Sequence, residues 1–134
     1  MRAGGTETMG TFEIAKRFRF EAAHRIGGLP KGHPCGRVHG HSYQVEVRLA
    51  AERLTAPGFV TDFGELAPLG KYLQATFDHQ LLNDVLDVEP TSENLAMHLA
   101  CWFLDNLQPG LPGRLVAVRV AETATSWAEY RVEP

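Results

Sequence analysis

Several things are scarce in this chain. Cysteine occurs only twice in 134 residues, as Cys35 and Cys101, too few for the disulfide framework that staples a small secreted domain. No run approaches the roughly 18–20 apolar residues of a membrane span. Residues 1–11 (MRAGGTETMGT) lack the apolar core of a signal peptide. Basic charge is not in excess either. Thirteen Lys and Arg stand against 16 Asp and Glu, a formal net charge of −3, so the cationic surface of a non-specific nucleic-acid binder is not expected. There is no internal repeat, linker or low-complexity tract. These absences leave a soluble cytoplasmic protein with reduced thiols and neither nucleic-acid nor membrane partners. At 44% hydrophobic residues, a chain of this length can bury a core without a structural metal. A metal site here would need a chemical reason.

What is present is clear patterning. Residues 1–11 read as a flexible leader, with Met9 an alternative start, and residues 12–134 as one domain. Phe12, Ile14, Lys16, Phe18, Phe20, Ala22 and His24 share one parity, the mark of a strand with one buried face. A Gly- and Pro-rich loop, GGLPKGHPCG, follows. Alternation resumes from Val38 to Ala51, with His39, His41, Tyr43, Val45, Val47 and Leu49 on one face; the two strands should pair antiparallel. Asp62, with Glu65 three residues later, predicts a capped helix over about Phe63–Phe77, although Gly64, Pro68 and Gly70 fit its first turns poorly. A second helix opens at Pro90-Thr91, repeats Leu95, Leu99, Trp102 and Phe103, and ends at Gln108-Pro109-Gly110. Leu115–Val120 and Trp127–Val132 read as two more strands. Strand, strand, helix, helix, strand, strand is an α+β order: an antiparallel sheet covered on one face by helices.

Six histidines are present. His39 and His41, two apart on a strand, project from one face, and His24 closes the preceding strand on its apolar parity. Three imidazoles with one open position are the ligand set of a catalytic zinc site; three hydrogen-bonded core histidines are the alternative. Cys35 lies four residues before His39. It is either a fourth ligand, closing a structural site, or a reactive group whose pKa is lowered by a nearby dication and by Lys31 and Arg37. Cys101, among Leu99, Trp102 and Phe103, reads as core packing. Asp78 beside His79 can fix an imidazole tautomer. His98 reads as a helix residue and His33 as an exposed loop residue. Glu122 offers a carboxylate for a flat guanidine-like edge, or is a solvated turn residue.

Taken together, Phe20-Glu21-Ala22-Ala23-His24, Cys35-Gly36-Arg37-Val38-His39-Gly40-His41-Ser42, Val60-Thr61-Asp62-Phe63, Asp78-His79-Gln80-Leu81-Leu82-Asn83, Pro90-Thr91-Ser92-Glu93-Asn94 and Glu122-Thr123 resemble the 6-pyruvoyltetrahydropterin synthase family. Within it, the Cys35–Ser42 block is most similar to bacterial 6-carboxytetrahydropterin synthases of the queuosine (7-deazaguanine) pathway. The resemblance implies a tunnelling fold, with a four-stranded antiparallel sheet and two helices per subunit. It implies trimers or hexamers with active sites between subunits. It assigns zinc to His24, His39 and His41, the base to Cys35 with Asp78 and His79 as proton carriers, and the pterin edge to Glu122, aided by Thr91, Ser92 and Glu93. The implied substrate is 7,8-dihydroneopterin triphosphate, cleaved to 6-carboxytetrahydropterin, acetaldehyde and triphosphate. A dication on the side-chain oxygens would acidify the adjacent C–H. Lys16, Arg17, Arg25, Lys31 and Arg37 are candidate triphosphate partners. A pyruvoyl-forming synthase and a non-catalytic zinc or pterin module are the competing readings. Residues 124–127 depart from the bacterial pattern.

Overall fold

The structure, a computed structural model, describes residues 10–134, so most of the expected leader lies outside the described residues. The elements are β1 (Phe12–His24), β2 (His39–Ala51), α1 (Ala67–Thr76), β3 (Gln80–Leu81), α2 (Leu82–Val85), α3 (Ser92–Asn106), β4 (Arg114–Thr123) and β5 (Ser126–Arg131). They form one sheet in the order β3-β1-β2-β4-β5. β1 pairs antiparallel with β2 from Phe12 opposite Ala51 to His24 opposite His39. Among the described residues the sheet has five strands, not four. The extra one, β3, is two residues long and runs parallel to β1 at Ala22 and Ala23; so short a segment carries no periodicity that a sequence reading can detect.

One face of the sheet meets the helices. Phe20, Tyr43, Val45, Val47 and Leu49 pack with Leu69, Leu73, Leu95, Leu99 and Phe103, all essentially inaccessible to solvent. The expected helix from Phe63 begins instead as a 3-10 turn over Phe63–Leu66 and becomes α-helical at Ala67. The capping pair does not form as expected. Asp62 Oδ1 accepts from the N–H of Gly64, while Glu65 N–H donates to the Asp62 carbonyl, which is turn geometry. Pro68 then falls in the first helical turn, where its missing N–H is harmless. Gly70 also has a reason: a Cβ there would stand 3.2 Å from the Phe18 ring, so glycine lets α1 approach β1. α3 is capped by Thr91, whose hydroxyl accepts from Asn94 N–H.

Cys101 does not pack in the core. Leu95, Ala96, Leu99, Ala100 and Phe103 are buried, whereas Met97, Cys101 and Asp105 are exposed. These three are four apart and line the opposite face of α3. His98 lies between, its Nε2 hydrogen-bonded with the Tyr72 hydroxyl at 2.7 Å. Burial lowers its pKa, which favours the neutral ring.

The other sheet face is charged. Glu129 accepts from Arg48 Nη1 at 2.7 Å and Nη2 at 3.1 Å, and from Arg119 Nε at 3.2 Å; Arg131 Nε is 3.1 Å away. The Arg48 hydrogen bond is the largest influence and takes the Glu129 pKa from 4.5 down to about 2. A depressed carboxylate pKa stabilises the fold fully above its unfolded value. Acid titration should therefore remove this contribution progressively between pH 4.5 and about 2. Glu129→Gln should cost about 2 kcal/mol at pH 7, in the range for a charge-assisted hydrogen bond, and should flatten stability against pH in that window. Urea denaturation at stepped pH measures both.

Candidate metal centre and active site

The β1–β2 ladder ends where the chemistry begins. The pairings Ala22–His41 and His24–His39 place three imidazoles on the helix-covered side of adjacent strand ends. His24 Nε2 lies 3.0 Å from His39 Nε2 and 3.2 Å from His41 Nε2. Their ring nitrogens form a group in which all ligand atoms lie within 4.8 Å of one another. His24 is 1% exposed, and the other two are half-buried.

The far sides of two rings are held by backbone oxygens. His24 Nδ1 meets the Pro90 carbonyl at 2.7 Å, and His39 Nδ1 meets the Arg37 carbonyl at 2.7 Å. A carbonyl only accepts, so each Nδ1 carries the proton and each Nε2 keeps a lone pair facing the cluster. Hydrogen bonds of this kind, from a ring N–H to a backbone oxygen, orient metal-binding histidines. Burial is the main influence on His41 and lowers its pKa, opposed by Glu122 and reinforced by the His24 and His39 rings. Neutral imidazoles are the form a metal binds. The donor set therefore fits a divalent cation.

Glu122, on β4, borders the cluster. Its Oε2 is 3.2 Å from His41 Nε2, and its Oε1 accepts from the Ser92 hydroxyl at 2.6 Å. Ser92 is the first residue of α3, so the carboxylate also faces a helix N-terminus. Tyr43 packs its ring edge-on to His24 and His41, with centroids 6.0 and 5.4 Å away. Its hydroxyl is buried without a hydrogen-bond partner.

Comparison with known proteins identifies the family. The family profile described as 6-pyruvoyl tetrahydropterin synthase matches residues 13–133. The chain belongs to the 6-pyruvoyl tetrahydropterin synthase family. It is accordingly an enzyme. Two curated relatives are named 6-carboxy-5,6,7,8-tetrahydropterin synthase. The Synechocystis protein is 42% identical over 125 residues, covering 87% of this chain and 91% of its own length. The Bacillus subtilis protein is 35% identical over 133 residues, covering 90% and 86%. Among solved structures, Caenorhabditis elegans 6-pyruvoyl tetrahydropterin synthase superposes with a TM-score of 0.79 at 24% identity, covering 93% of this chain and 98% of that one. An uncharacterized Wolinella succinogenes protein gives 0.81 at 22%, with 92% and 99% covered. The two structures share the fold.

In this synthase-family chain the other predicted residues fall in three places. Cys35 lies in a 3-10 turn over Pro34–Gly36, half-buried. Its N–H donates to His33 Nδ1 at 3.1 Å and its carbonyl accepts from Ile26 N–H at 2.8 Å. Among the described residues the converging metal-type group comprises the three histidines without Cys35. Asp78 and His79 sit on the outer edge of β1. Asp78 Oδ1 accepts from Glu21 N–H at 2.8 Å, and its Oδ2 meets His79 Nδ1 at 2.7 Å. The Glu21 bond, then His79, hold the Asp78 carboxyl below its ordinary pKa. His79 has a left-handed φ of 60°, uncommon outside glycine but tolerated by histidine. Its side chain is 78% exposed, and it lines a cavity of ≈ 580 Å³ with Glu21, Gly40, His41, Ser42 and Gln80. Thr91 is occupied as the α3 cap, and Glu93 is exposed in its first turn.

Sequence reasoning missed the carbonyls of Pro90 and Arg37, since a backbone oxygen leaves no trace in residue type. His39→Ala should raise the zinc dissociation constant at least about 100-fold, beyond the roughly 10–100-fold that losing an outer partner costs. Competition against a chromophoric chelator measures it, and an unchanged affinity would remove His39 from the ligand set. Binding should also weaken as pH falls; because burial lowers the His41 pKa, protonation of that ring competes with the metal only below its ordinary range.

Proposed function

We propose that this enzyme converts 7,8-dihydroneopterin triphosphate and water to 6-carboxy-5,6,7,8-tetrahydropterin, acetaldehyde and triphosphate, using zinc held by His24, His39 and His41, within 7-deazapurine (queuosine) biosynthesis in the cytoplasm. The convergence of three imidazole Nε2 atoms beside a carboxylate carries the reading. The names of the Synechocystis and Bacillus subtilis relatives support the carboxy product over the pyruvoyl one.

Bound there, zinc would supply Lewis acidity toward the substrate's side-chain oxygens. Glu122, oriented by Ser92, accepts the paired N–H donors of the amino-pyrimidine edge. Thr91 holds the start of α3 that presents Ser92, and Glu93 supports the same pocket rim. Cys35 takes a proton from the side-chain carbon, and Asp78 and His79 carry protons to and from the reacting centre. Asp78 keeps the imidazole tautomer fixed through Nδ1, leaving Nε2 for exchange.

The placement of that dyad favours self-association as a trimer or hexamer. Asp78 and His79 lie at the β1 edge, where Asp78 accepts from the backbone N–H of Glu21. They would serve the metal centre of a neighbouring copy. Among the described residues, the β1 edge is paired by β3 only at Ala22 and Ala23, and β5 ends the sheet with Trp127 and Tyr130 exposed. Two open edges on one sheet favour edge-to-edge pairing of copies.

Incubation with dihydroneopterin triphosphate should yield acetaldehyde and a carboxypterin; a pyruvoyl pterin without acetaldehyde would assign the alternative reaction. Cys35→Ala should keep its zinc and lose turnover by about 10²–10⁴-fold, the usual contribution of a general base. Loss of zinc and of folding together would instead make Cys35 a structural ligand.

A further inference from the structure

Four consecutive residues at the end of β1 are each held by a different group. His24 Nδ1–H donates to the Pro90 carbonyl at 2.7 Å. Arg25 is gripped at both backbone polar groups by one side chain: its N–H donates to Asn83 Oδ1, and its carbonyl accepts from Asn83 Nδ2, each at 2.9 Å. Ile26 N–H donates to the Cys35 carbonyl at 2.8 Å. Gly27 N–H donates to the Glu89 carboxylate.

The grip on Arg25 has a topological cause. β3 pairs with Ala22 and Ala23 through Gln80 and Leu81, and the chain then turns into α2 at Leu82. No backbone remains to continue the ladder to Arg25. A primary amide is a flat group with an acceptor at one corner and donors at the other, so the Asn83 side chain completes the ladder in place of the main chain. Neither a carboxylate nor a hydroxyl offers that pair of groups.

We propose that Asn83 is a positioning residue that sets two parts of the active site at once. By fixing the Arg25 peptide it holds His24, one residue before, against Pro90. It also holds Ile26, one residue after, against the Cys35 carbonyl. His39 and His41 lie on β2, in its ladder to β1, whereas the hydrogen bonds of Asn83 go to Arg25. The inference rests on the reading of His24 as ligand and Cys35 as base.

The test uses the full chain with Cys101→Ser, so that Cys35 is the single thiol. Asn83→Ala and Asn83→Asp are made in that background. Co²⁺ affinity with its visible spectrum, the iodoacetamide alkylation rate of Cys35 at fixed pH, and the thermal midpoint are measured. Asn83→Ala should weaken Co²⁺ binding about 10-fold or more, as for other outer-shell partners. It should also alter the Co²⁺ band intensities and speed alkylation of Cys35. Asn83→Asp should fail to rescue, because it faces the Arg25 carbonyl with a second oxygen. Parental Co²⁺ affinity, spectrum and alkylation in both variants would overturn the proposal, whatever the thermal midpoint does. A parent chain that binds no Co²⁺ would reject the metal reading; alkylation of Cys35 then decides on Asn83, and parental rates in both variants overturn it.

Discussion

Everything at the site depends on the register between β1 and β2. Side chains alternate along a strand with period two, so a slip of one residue would turn every imidazole of the slipped strand to the other face. The register is set away from the site. Phe20 stacks on Tyr43 with centroids 4.9 Å apart, and Val45, Val47 and Leu49 continue the same parity into the core. The hydrophobic effect that folds the domain therefore also places His24 opposite His39. Core and metal centre are one specification, written on one parity of two strands.

The two sheet faces manage charge in opposite ways. Toward the helices, burial lowers the His41 pKa, and His24 and His39 each donate Nδ1–H to a backbone carbonyl. On the other face, ionisation is enforced, with Glu129 holding its proton weakly because arginines surround it. The dyad of Asp78 and His79 belongs to neither layer. It stands at the β1 edge, and its carboxylate completes a backbone hydrogen bond of the strand, so its position is tied to the sheet although its imidazole is largely free.

Much of this was legible in the residues. Alternation revealed β1 and β2 with their pairing, and it placed the three histidines on one face. Burial of the intended parity then brought them together. The legible parts share one property: they repeat, or they use side chains with distinctive chemistry. The illegible parts do neither. β3 is too short to show a period. The start of α1 is a turn because Asp62 bonds the Gly64 N–H, and composition alone does not separate that turn from a capped helix. Cys101 sits among apolar neighbours in sequence, yet helical phase carries it to solvent with Met97 and Asp105. Asn83 stood within a recognisable block, but its use as a substitute for main chain follows from where β3 stops.

The arginine- and glutamate-lined face has a consequence for whatever comes to lie over it. Arg48 and Glu129 satisfy each other in bidentate fashion, but Arg17 and Arg131 keep side chains that are 66% and 77% exposed. Guanidinium groups with unspent donors keep their hydration. A surface closing over this side of the sheet would enclose an aqueous lumen lined by fixed charge, in which small ions are held and the Trp127 ring under Arg119 is the apolar exception.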